Sequence, residues 1–142
     1  MAFKGEFQHS VDAKGRLSIP AKLREGLGDS FVATRGLENC LFVFPAKEWE
    51  AFTENLRTLP IASEAARAFT RLIFSGATDC ELGPQGRILL PANLRTYAKL
   101  EKEAVIVGVS NRVEIWALEK WEEYCRKAEQ AYPEIAEKLL NF

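Results

Sequence analysis

The chain has 142 residues, 47% of them hydrophobic, and a formal net charge of −1, enough apolar content for one domain or two very small ones with a core of their own. No apolar run is long enough to span a bilayer, and the opening MAFKGEFQHS lacks the apolar stretch of a secretory signal, so a cytoplasmic protein without membrane contact is expected. Nothing in the total charge announces a nucleic-acid binder.

Glu6 to Val11 alternates loosely and rises into Asp12-Ala-Lys-Gly15, a reversal in which Gly15 can take positive φ. Arg16 to Ile19 alternates strictly, with Leu17 and Ile19 on one face and Arg16 and Ser18 on the other, so the two segments are expected to form a β-hairpin. Pro20 stops the strand and opens a short helix, Ala21 to Gly26, ended by its glycine. Phe31 to Thr34 and Cys40 to Phe44 read as strands, and Pro45 starts a helix carrying Trp49, Phe52 and Leu56 on one face. Beyond Pro60, Ser63 can cap a helix that runs to Phe74 and stops at Gly76. Strands at Thr78 to Leu82 and Arg87 to Leu90 follow, then a short helix Ala92 to Tyr97 and strands Ala104 to Val109 and Arg112 to Trp116. A helix, Leu118 to Ala131, precedes a tail from Tyr132 expected to dock as a terminal helix.

The second half rewrites the first. VDAKGRLSIPAKLRE (11–25) returns as LGPQGRILLPANLRT (82–96), with Gly15, Arg16, Pro20, Leu23 and Arg24 matched by Gly86, Arg87, Pro91, Leu94 and Arg95 at a spacing of 71. Past one inserted residue, Gly36, Asn39 and Trp49 match Gly108, Asn111 and Trp121 at 72. Units this small are marginal alone, so the halves should interlock about a pseudo-two-fold axis as one α+β domain. Its parts are a first half (6–56), a connecting helix (57–76), a second half (77–132) and a C-terminal tail (133–142).

Folding requires the turn glycines and the apolar pair, but packing does not ask for an arginine on the exposed face in both copies. Asp12 can accept backbone N–H groups or meet the Arg16 guanidinium. Arginine presents a planar fork suited to phosphate and guanine edges, and Lys14 stands beside Arg16. Paired loops on a two-fold would offer two such forks to a DNA duplex, and a β-ribbon can enter the major groove. Basic residues cluster at Lys4, Lys14, Arg16, Lys22 and Arg24, while the chain after Val113 is acidic, which can place a positive face on a neutral particle.

Other chemistries find little support. His9 is the only histidine, and Cys80 stands at its place in the second copy, so an enzyme is not expected. Cys40, Cys80 and Cys125 are odd in number, widely spaced and without a C-x-x-C pair, so neither a disulfide framework nor a zinc site is expected and the three should be reduced and buried. No cofactor, metal or small-molecule substrate is implied. The rival reading is a non-catalytic structural or protein-interaction ring without DNA specificity. It rests on the helix from Leu118, whose stripe of Trp121, Tyr124, Cys125 and Ala128 lies opposite Glu119, Glu122, Glu123 and Arg126.

GEFQHSVDAKGRLSIPAKLRE followed by FVATRGLENCLFVFPAKEWE resembles the MraZ family of bacterial transcriptional regulators, which carry two tandem AbrB-like swapped-hairpin halves. The resemblance runs from Met1 to about Tyr132 and covers the duplicated hairpin, the Pro-Ala helix start and the two intervening helices. It implies a ring-shaped homo-oligomer, nucleoid-associated, that binds short repeats in double-stranded promoter DNA and represses the division and cell-wall gene cluster, its own gene included. Asp12 and Arg16 carry over directly and Arg87 is the second-copy arginine; Lys14 and Gln85 occupy the adjoining turn positions, and Gly15 and Gly86 shape the turns. The departure is Gly83, which stands where the second motif has Asp. Arg87 should thereby lose its partner within the loop, and with Gln85 in the slot of Lys14 the first turn is expected to be the stronger DNA contact.

Overall fold

The computed structural model describes residues 2–141. The first half contributes β1 (Glu6–Ser10), β2 (Arg16–Ser18), α1 (Ala21–Leu27), β3 (Ser30–Arg35), β4 (Leu41–Pro45) and α2 (Ala46–Arg57); α3 (Glu64–Gly76) follows. The second half contributes β5 (Thr78–Glu81), β6 (Arg87–Leu89), α4 (Ala92–Tyr97), β7 (Glu103–Val109), β8 (Arg112–Ala117) and α5 (Leu118–Leu140), with a single 3-10 turn at Pro84–Gly86.

Six strands form an antiparallel sheet in the order β1-β7-β8-β4-β3-β5, and β2 pairs with β6 in a separate two-stranded ribbon. Exchanging each strand for its repeat partner turns the six-strand order into its own reverse, the pattern of a two-fold axis between β4 and β8. The halves interlock because each gives its first strand to the other: β1 pairs β7, with Phe7 opposite Ile106, and β5 pairs β3, with Cys80 opposite Phe31.

The hairpin expected over 6–19 is thereby corrected. The turn closes, with Val11 bridging Leu17 and the Asp12 N–H donating to the Arg16 carbonyl at 2.9 Å. Beyond it the arms part, because β2 buries Leu17 more fully against Ile88 of the ribbon than a local hairpin could. Leu17, Ile19, Leu23 and their repeat partners Ile88, Leu90 and Leu94 join Phe31, Leu41, Val43, Ile106 and Ile115 in one core between ribbon and sheet. Burying such side chains supplies about 1.5–3 kcal/mol each relative to exposure, which accounts for a fold held by the crossing rather than by local turns.

The opposite sheet face carries a second cluster of Cys40, Phe42, Phe44 and Trp116 beneath α2 and α5. Phe52 stacks on Phe44 with centroids 4.9 Å apart, and Trp121 meets Trp116 edge-on at 5.2 Å. Within this cluster Glu114 is buried yet paired: Arg112 holds its carboxylate at 2.8 Å, and the Trp116 indole N–H donates to it at 3.0 Å. Ser63 caps α3 as expected, accepting from the Ala66 N–H, and Thr34 Oγ1 donates to the Ile73 carbonyl at the far end.

Two helix ends differ from expectation. α1 runs through Gly26 to Leu27, and Gly28 at φ 78° closes it, its N–H returning to the Arg24 carbonyl. The tail is not a separate docked helix. α5 continues to Leu140 with Pro133 inside it, and none of its residues is fully buried; on an exposed helix the hydrogen bond that Pro133 cannot make is a local loss rather than a stop. All three cysteines are free; Cys40 and Cys80 are buried and Cys125 only partly so. Among the described residues no helix is long and apolar enough to cross a membrane.

Candidate nucleic-acid interface

The two turns stand together because the ribbon brings them together. β2 and β6 run antiparallel with Arg16 opposite Leu89, Leu17 opposite Ile88 and Ser18 opposite Arg87. Cross-strand neighbours share a face, so Leu17 and Ile88 point into the core while Arg16, Ser18, Arg87 and Leu89 form the outer surface. Leu89 is 62% exposed there, an apolar group set between two cations. The alternation of the Arg87–Leu90 strand is the sequence signal for its outward position.

Backbone hydrogen bonds repeat across the axis. Asp12 N–H donates to the Arg16 carbonyl at 2.9 Å and Gly83 N–H to the Arg87 carbonyl at 2.8 Å; the Gly15 and Gly86 amides donate to the Asp12 and Gly83 carbonyls, both at 3.0 Å. Each turn is also tied to the other copy, since Ile19 N–H donates to the Gly86 carbonyl and Leu90 N–H to the Gly15 carbonyl, both at 2.9 Å. Gly15 and Gly86 have φ of 85° and 68°, a region L-residues adopt at a cost.

The Asp12 carboxylate organises the first turn. Its Oδ1 accepts from the Lys14 and Arg16 amides, both at 2.9 Å, and its Oδ2 accepts from Arg16 Nε at 2.8 Å. The Arg16 amide bond, helped by the Arg16 side chain and the Lys14 amide, pulls the Asp12 pKa from 3.8 down to about 2. Among the described residues the two terminal guanidinium nitrogens of Arg16 have no hydrogen-bond partner within the chain. They form a fork held in place by Nε and free at its tips. Lys14 is exposed beside it.

The second turn is not an isolated copy. Gln85 is exposed and adopts φ 63°, and Gly83 supplies no carboxylate. Arg87 is nevertheless not without a partner: its Nη1 lies 3.6 Å from Asp12 Oδ2, so one carboxylate serves both arginines. Arg87 has no carboxylate partner within its own loop, and a longer, inter-copy pairing stands in its place. Asymmetry persists at Nε, which in Arg87 is buried without a hydrogen-bond partner.

Arg24 and Arg95 were visible as a repeated pair, yet spacing alone assigned them no task. Arg24 Nε donates to the Ile19 carbonyl at 2.8 Å and Arg95 Nε to the Leu90 carbonyl at 2.9 Å. Arg24 also reaches across to the Gln85 carbonyl at 3.3 Å. The guanidinium of Arg95 covers Gly15 and that of Arg24 covers Gly86, each so close that a Cβ on the glycine would collide with it. Each short helix thus braces the turn of the other half. His9, by contrast, sits on β1 opposite Ala104, and among the described residues no group of three or more His, Cys, Asp or Glu could hold a metal ion.

Comparison with known proteins gives this arrangement a context. The family described as "MraZ protein, putative antitoxin-like" matches twice, over residues 2–72 and 73–142. A protein named transcriptional regulator MraZ from Symbiobacterium thermophilum is 69% identical over 135 residues, 95% of this chain and 98% of that protein. Proteins of the same name from Natranaerobius thermophilus and Carboxydothermus hydrogenoformans are 58% and 57% identical, each over 99% of this chain and 98% of their own length.

Proposed function

We propose that this chain, which belongs to the MraZ family of transcriptional regulators rather than to any enzyme family, reads double-stranded promoter DNA through its paired ribbon turns. In this reading it is a cytoplasmic, nucleoid-associated repressor that binds short promoter repeats as a ring-shaped homo-oligomer, acting on the division and cell-wall gene cluster and on its own gene. Arg16 and Lys14 of the first turn and Arg87 and Gln85 of the second supply the contacts, while Asp12, Gly15 and Gly86 hold the turns in shape.

The observation that carries the reading is the Asp12–Arg16 pair. Asp12 fixes the Arg16 guanidinium through Nε at 2.8 Å and leaves its two terminal nitrogens for bidentate recognition of a guanine edge or a phosphate. Preorganisation of this kind lowers the entropy lost when a long side chain is immobilised. One turn neutralises few phosphates, so useful affinity at physiological salt comes from several linked copies engaging several sites. Titration of a repeated-site promoter fragment beside a shuffled fragment, at two salt concentrations, tests it. Tight, salt-sensitive binding to the repeated fragment alone is expected; equal affinity for both fragments would refute sequence-specific regulation.

A further inference from the structure

Leu89 projects into solvent from a strand and belongs to neither hydrophobic cluster. Among the described residues, the other exposed large hydrophobics lie on helices or in loops. A solitary exposed leucine is ordinary in itself; its neighbours set this one apart. It stands directly opposite Arg16 across the ribbon and two residues beyond Arg87 on the same face of β6. Leu90 N–H donates to the Gly15 carbonyl and Ile19 N–H to the Gly86 carbonyl, so the pairs Arg16–Leu89 and Ser18–Arg87 fall between hydrogen-bonded positions. Facing side chains come closest at such pairs, with Cβ atoms about 5 Å apart.

The pseudo-two-fold is broken at this position. Leu89 corresponds to Ser18 at the spacing of 71, so Arg16 faces a leucine and Arg87 faces a serine. The core asks for neither, because Leu17 and Ile88 fill the buried side of the ribbon. The cations beside Leu89 decide what can cover it. A second copy of the same face would set Arg16 and Arg87 against their own kind, whereas a polyanion is drawn to them. The major groove of duplex DNA also offers an apolar group among its hydrogen-bonding edges, the thymine C5-methyl.

We propose that Leu89 reads a thymine methyl beside the guanine that Arg16 takes, the two facing side chains forming one recognition unit built from both repeats. The inference deepens the reading of the ribbon as a DNA-binding surface and rests on it. Arginine binds the O6 and N7 edge of guanine while an apolar side chain packs on the thymine methyl, and a Cβ separation of about 5 Å spans one to two base-pair steps of about 3.4 Å. Ser18 has no apolar surface of that size. The methyl contact is therefore made on the Arg16 side of the ribbon alone, and preference at the thymine position comes from packing rather than from hydrogen bonds.

The test is a repeated-site promoter fragment made in two forms, with thymine or with uracil throughout, since uracil keeps the base pairing and lacks only the C5-methyl. Titrated at one salt concentration, the unsubstituted full chain should bind the uracil form more weakly, by about fourfold for each engaged site, the worth of one buried methyl group. Leu89→Ser, which copies the first-half residue, should show less of this difference. Equal affinity of the unsubstituted chain for the two forms overturns the proposal, as does a Leu89→Ser variant that discriminates between them as strongly as the unsubstituted chain. A Leu89→Ser variant that sediments as a smaller species than the unsubstituted chain also overturns it, by placing Leu89 in a contact between copies. If the unsubstituted chain binds the thymine fragment no better than a shuffled one, the DNA reading fails and this inference with it; if it prefers the repeated fragment but ignores the methyl groups, only the inference fails. Melting curves verify folding, and Leu89→Ala gives the same comparison should the serine variant unfold.

Discussion

Arg95 lies against Gly15, its Nε 2.7 Å from where a Cβ on that glycine would stand. A residue of the second half thereby fixes the backbone of the first-half turn, and Arg24 does the same for Gly86. The turn that presents Arg16 is a product of both repeats.

Gly15→Ala should therefore destabilise the protein by about 1–3 kcal/mol, since alanine must adopt positive φ and displace the Arg95 guanidinium. Arg95→Ala should leave most of the stability in place yet weaken DNA binding, because the Arg16 turn loses its brace. Thermal unfolding and DNA titration of the two variants would reveal this split; undiminished DNA affinity in folded Arg95→Ala would show that the brace has no part in recognition.

Arg16→Ala is expected to remove specific binding with the fold and the assembly intact, at about 1–3 kcal/mol for each engaged site. Arg87→Ala should cost less, because its link to Asp12 is the longer one and its turn lacks Lys14. Asp12→Ala should weaken both turns. Equal losses from Arg16→Ala and Arg87→Ala in parallel titrations would contradict the asymmetry.

Gly83→Asp should stabilise the chain by about 1 kcal/mol. Gly83 has negative φ, open to any residue, and a carboxylate there could accept from Arg87 Nε, which is buried without a partner, as Asp12 does from Arg16. The built Cβ would sit 3.3 Å from the Arg87 carbonyl, a contact that a small shift relieves. The readout is the unfolding midpoint, and a lowered midpoint would mean that the second turn cannot take the shape of the first.

The Asp12 pKa is lowered from 3.8 in the ordinary state to about 2 in the folded chain. A depressed carboxylate contributes stability that is fully present above its unfolded pKa and is lost as pH falls through its folded pKa. The Asp12 contribution should thus be intact at neutral pH and disappear between about pH 4 and pH 2. Titration of the Asp12 carboxyl carbon by NMR should give the low value, and Asp12→Asn should lack this acid transition; an ordinary carboxylate titration would disprove the hydrogen bonds.

DNA fragments with several repeats spaced near one helical turn should bind far more tightly than a single repeat, and half a turn inserted between repeats should weaken them by moving one site to the far face. Titration of the three duplexes at one salt concentration distinguishes the cases. A single repeat that binds as well as the array would remove multivalency while leaving DNA binding intact.

Local chemistry made much of this protein legible in the sequence. Alternation at Arg16-Leu-Ser-Ile19 set which side chains face outward, Pro45 and Ser63 marked helix starts, duplication at fixed spacing pointed to two interlocked halves, and the stretch GEFQHSVDAKGRLSIPAKLRE carried the resemblance to the MraZ family. All of these depend on contacts within a few residues or on the repeat itself. Which strand receives β1, how Asp12 comes to serve Arg87 as well as Arg16, and why Arg24 and Arg95 recur were settled only in the tertiary structure. The turn at Asp12–Gly15 forms in either a local or a crossed pairing, and its residues do not distinguish them. The difference lies in burial: crossing β2 with β6 seals Leu17 and Ile88 face to face, a gain that depends on segments some seventy positions apart.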